Sequence, residues 1–483
     1  MVIDALKYQI LQQFGFVPTE EQGQALDAFA RFLTDRDPHA VMILRGSAGT
    51  GKTSLSGAIV RTLKAIRQKV MLLAPTGRAA KVFSLNSGCP AYTIHRRIYW
   101  EKSFAGVDGQ FNLNDNLFTD TLFMVDEASM ISNLGLGGGN FGSGCLLDDL
   151  VRFVYQGHND RLMLIGDKAQ LPPVGEEESP ALNRMMLEGY GLKVYECDLN
   201  EVLRQSQESG ILYNATVIRQ MITHDDITQL PLIRFKGFAD IVMMPGNELV
   251  ESLANSYYRV GQDETMVITR SNKRANIYNN GIRNMVLDRE DELSCGDMLM
   301  IVKNNYFWTE KERNEAKEAL NAIPPFLANG DRAKVLRVSR HMELYGFRFA
   351  TLLLQFPDYD NYEMSVTALL DTLQSEAPAL THEQQEQLFH GVEEDYQDVP
   401  LKSDRMKAIR GDQYFNALQV KYAYAITCHK AQGGQWEHVY VDQGYMTDDM
   451  LTPDYIHWLY TAFTRAKDKL FLVNWPKTQT EQA

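Results

Sequence analysis

The chain has 483 residues, which at roughly 150 residues per domain predicts about three domains and not a single hydrophobic core. Its hydrophobic fraction of 45% and charged fraction of 23% are ordinary for globular proteins, and no run approaches the roughly 18 apolar residues of a membrane span, so we expect a cytoplasmic protein without a membrane partner. A net charge of −14 argues only weakly against a polyanionic partner, because a protein that grips and releases phosphates needs basic residues along one channel alone.

The chain alternates predicted helices and strands in two separate sets. The first set is predicted as a helix at 20–33 with Thr19 as N-cap, a strand at 40–44, a helix at 53–67, a strand at 69–74, a helix from Arg78, and strands at 121–125 and 161–165. The second set has strands at 265–269, 422–427, 438–441 and 469–473. Strands that alternate with helices indicate parallel sheets, so two α/β domains are expected.

Two insertions interrupt these sets. The first, 96–120, contains a hairpin-like stretch with a turn at 107–110. The second, 334–410, opens with three strand-like segments that resemble a small β-barrel and closes with the acidic stretch 370–400, which we expect to form a solvated helical segment. The glycine-rich stretch 134–144 is most simply interpreted as a mobile loop. The sequence indicates no role for this stretch or for 370–400.

A phosphate-binding loop is the strongest single motif. Residues 46–53 read GSAGTGKT and lie between an apolar strand and a helix, as this motif requires. Backbone N–H groups of such a loop wrap a β-phosphate, Lys52 reaches the β- and γ-phosphates, and the Thr53 hydroxyl can ligate Mg²⁺. The motif predicts ATP and Mg²⁺ as substrate and cofactor.

Carboxylates follow the next strand of the first set. Asp126 and Glu127 end the strand at 121–125, at the edge where ligands bind in parallel sheets. Asp126 would hold Mg²⁺ and Glu127 would orient or deprotonate the attacking water, although a solvated acidic pair is the alternative. Gln170, after the strand at 161–165, is placed to sense a γ-phosphate.

The second set carries motifs that show what hydrolysis drives. Residues 427–435 read TCHKAQGGQ and residues 461–467 read TAFTRAK. With the order of the first-domain motifs, APTGRAAK at 74–81, VDEAS at 125–129 and LNEVLRQ at 199–205, the set resembles superfamily 1 helicases, nearest the 5′→3′ branch of RecD and Dda. The resemblance covers about 19–473 and implies two RecA-like domains, a hairpin insertion in the first and an SH3-like β-barrel insertion in the second.

The resemblance also implies which residues meet ATP. Arg204 and Arg465 would enter the cleft as charge-stabilising groups, although Arg465 could instead be a surface ion-pair partner. Lys52, Thr53, Asp126, Glu127 and Gln170 complete the expected catalytic set. The expected ATP-binding set is Gln22 as adenine reader, Gly46, Ser47, Ala48, Gly49, Thr50, Gly51, Lys52, Thr53, Ser54 and Gly433. Where relatives often carry glutamate, this chain has Gln435, so the ribose contact there stays open.

DNA would cross both domains. The expected contacts are Pro75, Thr76, Lys81, His95, Thr427, His429 and Lys430, with Phe104 or Phe111 at the tip of a strand-separating pin. Small hydroxyls suit phosphate gripping without sequence readout. For His95 a buried imidazole, and for the phenylalanines an inward-packed hairpin, remain alternatives.

We therefore expect a monomeric 5′→3′ DNA helicase acting on single-stranded DNA and duplex junctions, with replication or repair proteins as partners. The expected domains are 1–210, then 211–333 with 411–483, with 334–410 inserted. A nucleotide-dependent loader or translocase without unwinding, a helicase subunit of a recombination nuclease, and an RNA helicase remain alternatives.

Overall fold

Two parallel β-sheets and a closed β-barrel form the architecture of the protein, which is a computed structural model. The structure describes residues 2–104, 109–135, 142–201, 208–224, 227–315, 323–324 and 326–481, with the side chains of 101–111 outside this description. The predicted fold class is confirmed: each parallel sheet belongs to a RecA-like domain, with a hairpin in the first and a barrel in the second.

The first domain runs to residue 201. Its elements are α1 (Val2–Phe14), α2 (Glu20–Thr34), β1 (Ala40–Gly46), α3 (Lys52–Ala65), β2 (Lys69–Ala74), α4 (Gly77–Ser87), β3 (Ala91–Thr93), α5 (Ile94–Ile98), β4 (Tyr99–Phe104), β5 (Gly109–Leu113), β6 (Thr121–Val125), α6 (Leu146–Gln156), β7 (Arg161–Gly166), α7 (Arg184–Gly189) and β8 (Lys193–Leu199). Six strands pair in parallel in the order β3-β2-β6-β7-β1-β8. All six therefore end at one edge, where the predicted motifs lie.

Helices cover both faces of the first sheet, because its central strands are apolar on both sides. On β1, Met42 and Leu44 pack into the core shared with α1, α2 and α3, whereas Val41 and Ile43 pack into the core shared with α6. This double burial explains why β1 is a continuous apolar run and not an alternating one.

The hairpin of the first domain is made by β4 and β5, which pair antiparallel from Tyr99↔Leu113 to Phe104↔Gly109. Gly109 and Gln110 lie in β5, although the sequence places them in the turn 107–110. The segment 105–108 and the side chains of Phe104 and Phe111 lie outside the described residues. The pin assignment thus stays a prediction.

The second domain begins after residue 208. Its first elements are α8 (Gly210–Thr223), β9 (Ile241–Met244), α9 (Leu249–Arg259), β10 (Thr265–Thr269) and α10 (Asn272–Gly281). The barrel segment follows with β11 (Met298–Ile301), α11 (Phe307–Glu315), β12 (Arg332–Leu344), β13 (Phe347–Phe356), β14 (Tyr362–Leu369), α12 (His382–Asp395), α13 (Lys402–Arg410) and β15 (Leu418–Tyr422). The chain then completes the second domain with β16 (Ala425–Thr427), α14 (Cys428–Ala431), β17 (Trp436–Asp442), α15 (Pro453–Phe463) and β18 (Ala466–Val473).

The second sheet has the parallel order β16-β10-β17-β18-β9. Its first strand differs from the prediction of one strand over 422–427. Tyr422 closes the barrel by pairing with Leu299, whereas Ala425 pairs with Val267 of the sheet. The Asn279 amide stabilises the break, because its oxygen accepts the N–H groups of residues 424 and 425.

The barrel contains residues on both sides of the predicted insertion 334–410. It closes through five strands, β11 to β15, and the first and last of these lie outside 334–410. Pairing of β14 with β15 and of β15 with β11 leaves no open edge in the barrel. Short flanking strands of this kind carry too little pattern to be assigned to a barrel from sequence.

The acidic stretch forms α12, which is helical as expected but only partly solvated. Leu388, Phe389 and Val392 pack on Phe347 and Phe349 of the barrel. The carboxylates of α12 lie on the remaining faces of the helix, so the stretch is an amphipathic helix attached to the barrel.

Candidate functional site

The phosphate loop joins β1 to α3 at the carboxyl edge of the first sheet. Gly49 and Gly51 have φ of +79° and +75°, a left-handed backbone that glycine adopts without a Cβ clash. The Thr50 hydroxyl closes the loop by donating to Ser47 O at 2.8 Å. The N-terminal N–H groups of α3 therefore face the concave side of the loop, where an anion is favoured.

Gln22 supports this loop from behind. Its amide oxygen accepts the Thr19 N–H at 3.0 Å in a capping box, and its amide nitrogen donates to Thr50 O at 2.9 Å. Both halves of the buried amide are thus engaged within the first domain. Adenine reading by Gln22 stays a prediction, and Ser54 is exposed in the first turn of α3.

Asp126 and Glu127 lie beside the loop. Burial, together with the charge of Glu127, raises the pKa of Asp126 to about 6, and Lys52 opposes this shift. Glu127 has φ of +52°, and its Oε2 is buried without a hydrogen-bond partner among the described residues. A buried carboxylate oxygen without a donor is costly, so this atom is suited to a group that the protein itself does not supply.

The segment after β7 supplies two more polar groups. Burial raises the pKa of Asp167, against the nearby charge of Lys52, and Asp167 accepts the Tyr460 hydroxyl at 2.7 Å. Gln170 is 6% exposed, and its Oε1 has no hydrogen-bond partner in the described part of the chain. Gln170 Oε1 and Glu127 Oε2 are thus two unpartnered buried oxygens near the loop.

A cavity of about 260 Å³ lies where these groups meet the second domain. Its lining from the first domain includes Lys52, Thr53, Asp126, Glu127, Asp167 and Gln170; its lining from the second includes Gln435, Thr464, Arg465 and Lys467. The loop N–H groups and the lysine fit a nucleotide phosphate chain, and the unpartnered oxygens, which only accept hydrogen bonds, fit a donor such as water beside it. Thr53 and Asp126 offer the hydroxyl and carboxylate oxygens that Mg²⁺ prefers.

Arg465 lines this cavity but is bonded to its own domain. It is 3% exposed, and it donates to Thr461 O at 3.0 Å, Gly434 O at 3.1 Å and Thr464 Oγ1 at 3.1 Å. A buried guanidinium with three local acceptors is not a surface ion-pair partner. Arg204 lies outside the described residues.

Gly433 lies against the start of α4, and the ATP contact expected of it stays a prediction. Its φ is +71°, and a Cβ there would come within 3.1 Å of Ala79 Cβ and 3.2 Å of Thr76 Oγ1. The loop after α14 therefore touches the start of α4 directly. This contact brings the two predicted DNA motifs, 74–81 and 427–435, side by side.

Several predicted DNA contacts have partners within the protein. Thr76 caps α4 by accepting the Ala79 N–H at 3.2 Å, and Pro75 precedes it. Lys81 donates to Pro357 O of the barrel at 3.0 Å, and Asp358 Oδ1 is 4.0 Å from its nitrogen. The Lys81 ammonium is thus bonded to the barrel in this structure.

Of the remaining predicted contacts, His95, Thr427 and Lys430 are partly buried and His429 is exposed. Burial lowers the pKa of His95 to about 4, which agrees with the alternative that His95 is a buried imidazole. Burial also lowers the pKa of His429, and Thr427 is the N-cap residue of α14. The Lys430 nitrogen is buried without a partner among the described residues, and burial with the nearby charge of Lys421 lowers its pKa to about 8.

Sequence reasoning missed the residues of the second domain that hold the first-domain loops. These residues are Arg219, Gln432, His457, Tyr460 and Thr461. Three of them have the spacing i, i+3 and i+4 on α15, just before Arg465, and this helical spacing was the available signal.

No helix in the described ranges is long and apolar enough to cross a membrane.

Two family models match the chain. An AAA domain matches residues 19–221, and a UvrD-like helicase C-terminal domain matches residues 422–473. Together the matches contain the phosphate loop, the carboxylates, the segment 166–173 after β7 (the coupling segment) and the second-domain motifs.

Curated relatives are similar over different lengths. An uncharacterized protein of Methanocaldococcus jannaschii is 33% identical over 33% of this chain and 14% of its own length, and the ATP-dependent RecD2 DNA helicase of Deinococcus radiodurans is 31% identical over 32% and 18%. The chain thus spans less than a fifth of these two relatives. An uncharacterized protein of Acanthamoeba polyphaga mimivirus is 22% identical over 90% of this chain and 96% of its own length.

Solved structures of Pif1 helicases are also similar. The Bacteroides Pif1 helicase in complex with ADP-AlF3 and ssDNA has a TM-score of 0.47 at 14% identity, covering 97% of this chain and 95% of that one. The Pif1 helicase of Candida albicans has a TM-score of 0.41 at 16% identity, covering 97% of each chain. From the two matched domains and the motifs that fall within them, this chain belongs to the superfamily 1 helicases, on their RecD-like branch.

Proposed function

We propose that the chain is an ATP-dependent DNA helicase that moves 5′→3′ on single-stranded DNA and separates duplex. The observation that carries this proposal is the interdomain cavity, in which the phosphate loop and the unpartnered Glu127 oxygen face Arg465 of the other domain. Groups that would act on ATP thus come from both domains. The RecD2 relative is named as a DNA helicase, which supports DNA as the nucleic acid.

Each cavity residue has a role in this proposal. Lys52 binds the β- and γ-phosphates, Glu127 orients or deprotonates the attacking water, and Gln170 contacts the γ-phosphate. Arg465 and Arg204 stabilise charge on the transferred group. Thr53 and Asp126 would hold Mg²⁺, which would neutralise charge on the phosphates.

Arg465 must exchange its present acceptors for a phosphate. In this structure its guanidinium donates to the backbone of residues 434 and 461. An anion in the cavity offers a charged acceptor in place of neutral carbonyls, and hydrogen bonds to charged groups are roughly twice as strong. Binding of ATP would therefore turn the Arg465 side chain from its own domain towards the phosphates, which links the nucleotide state to the position of the second domain.

DNA is proposed to cross the edge where the Thr76 and Gly433 segments touch. Pro75, Thr76, Lys81 and His95 would contact it from the first domain, and Thr427, His429 and Lys430 from the second. The buried, unpartnered ammonium of Lys430 supports a phosphate at this edge, because an anion would relieve its cost of burial. We propose that the protein acts as a monomer, with the first motor domain at 1–210, a barrel at 298–422 and the second motor domain around it.

The test is an unwinding assay with matched duplexes that carry either a 5′ or a 3′ single-stranded tail, with ATP and Mg²⁺. Only the 5′-tailed duplex should open. Lys52→Ala should abolish opening, whereas Lys64→Ala, the same change at an exposed position of α3, should not. Glu127→Gln should lower kcat for DNA-stimulated hydrolysis by roughly 10²- to 10⁴-fold, the usual contribution of a general base.

Two outcomes would contradict the proposal. Opening of only the 3′-tailed duplex would show the opposite polarity. Hydrolysis stimulated by DNA without opening of either duplex would show a translocase or a loading subunit that needs a partner.

A further inference from the structure

One face of α15 holds the coupling segment of the first domain. His457, Tyr460 and Thr461 share this face because residues three and four apart are neighbours on a helix. Thr461 Oγ1 accepts the Leu171 N–H at 2.8 Å, and His457 Nδ1 lies 2.9 Å from Ala169 O. Both contacts join side chains of α15 to the backbone that follows Asp167.

Tyr460 differs from its two neighbours because it contacts two first-domain segments at once. Its hydroxyl donates to Asp167 Oδ2 at 2.7 Å and accepts the Ala48 N–H of the phosphate loop at 3.0 Å. The side chain is 1% exposed, so water does not compete for either bond. A single hydroxyl thus fixes the distance between the loop and the coupling segment.

A second contact from the same domain reaches the adjacent loop residue. Arg219 of α8 donates to Ser47 Oγ at 2.6 Å and to Asn200 O at 3.2 Å. Residues 47 and 48 are therefore both held from the second domain, by two different helices. The later residues of the loop, from Gly49 to Thr53, have no such contact from the second domain among the hydrogen bonds of the described residues.

We propose that Tyr460 is a positioning residue for ATP hydrolysis. Its hydroxyl aligns Ala48 with Asp167, so the loop and the coupling segment take their reactive arrangement only when the second domain is apposed. This inference rests on the proposed function, because it assigns Tyr460 a part in the same reaction. Loss of the hydroxyl would leave the partly buried Ala48 N–H without its acceptor and Asp167 Oδ2 without its donor.

The expected defect lies in the chemical step and not in substrate binding. Small misplacements of groups around a reacting phosphate lower the rate steeply. The N–H groups at the start of α3 would bind the phosphates, whereas the Tyr460 hydroxyl bonds Ala48 and Asp167. Tyr460 therefore contributes to kcat more than to KM.

The variant to test is Tyr460→Phe, with Tyr455→Phe as the matched control. Tyr455 lies on the same helix and is 3% exposed, but its hydroxyl donates to Gln443 within the second domain. With saturating single-stranded DNA, Tyr460→Phe should lower kcat about 5- to 50-fold, as expected for loss of a buried hydrogen bond, with KM for ATP changed less than about 3-fold. Tyr455→Phe should change both constants by less than about 2-fold.

Hydrogen exchange supplies a readout that does not need hydrolysis. In Tyr460→Phe, peptides that cover 46–51 and 167–171 should exchange faster than in Tyr455→Phe, and ADP should protect residues 46–51 less. An unchanged kcat, or equal exchange in the two variants, overturns the role of Tyr460. If the unmodified protein hydrolyses no ATP, the proposed function fails, and the exchange comparison alone decides whether Tyr460 positions the loop.

Discussion

Neutralising Asp358 is expected to tighten the binding of single-stranded DNA. Asp358 Oδ1 lies 4.0 Å from the Lys81 nitrogen, so this barrel carboxylate stands where a DNA phosphate would bind Lys81. Two unit charges at this distance attract by about 4 kcal/mol at an effective dielectric of 20. The two side chains are 29% and 18% exposed, and with solvent screening we expect a net contribution of about 1 kcal/mol.

A contribution of this size corresponds to roughly 3- to 10-fold in affinity, since about 1.4 kcal/mol is tenfold. Asp358→Asn should therefore bind a labelled oligothymidine 3- to 10-fold more tightly at low salt, measured by fluorescence anisotropy. If Lys81 gains one phosphate, the slope of log affinity against log salt should steepen by about 0.7. The gain should disappear when Lys81→Ala is added.

The control is Asp360→Asn, which removes the same charge two residues away. Asp360 is exposed and has φ of +53°, a conformation that asparagine also tolerates. An equal gain in both variants would show a general charge effect. Weaker binding by Asp358→Asn would show that the barrel contact assists DNA binding, and the competition argument would be refuted.

Three further predictions concern single positions. Lys430→Met should raise the melting temperature, because it removes a buried ammonium without a partner, and should weaken binding of single-stranded DNA in a filter assay. Gly433→Ala should lower DNA-stimulated hydrolysis, because φ is +71° and the Cβ would meet Thr76 and Ala79; equal activity would contradict the close contact. Burial raises the pKa of Asp331 to about 7. The folded state therefore keeps a proton that the unfolded state loses near pH 4, so the free energy of unfolding should fall as pH rises from about 4 to 7. Asp331→Asn should flatten this fall in urea titrations at pH 5 and 8; an unchanged profile would exclude Asp331 as its source.

Elements with strong local signals could be predicted from the sequence. The strands at 69–74, 121–125 and 265–269 have the predicted bounds, because each is a mostly apolar run flanked by polar residues or proline. The Thr19 cap also forms as predicted, since its partner Gln22 is three residues away. Signals of this kind depend on neighbours in the chain.

Elements that depend on distant partners could not be placed in this way. The run at 422–427 reads as one strand, but Tyr422 finds its partner in the barrel and Ala425 finds its partner in the sheet. Likewise, β11 and β15 join the barrel across more than a hundred residues. Which partner a short strand takes is decided by packing, and no local pattern records that choice.

The same division holds in the candidate site. The sequence by itself determined the phosphate loop, Asp126, Glu127 and Gln170, because each is fixed by a motif at the end of one strand. Only the tertiary structure decided that Arg465 donates to Gly434 O, that Lys81 meets the barrel, and that the Tyr460 hydroxyl meets Ala48, 412 residues away in the chain. The physical reason is that a hydrogen bond of this kind is made by two surfaces brought together by folding, and neither residue carries the identity of its partner in its local sequence.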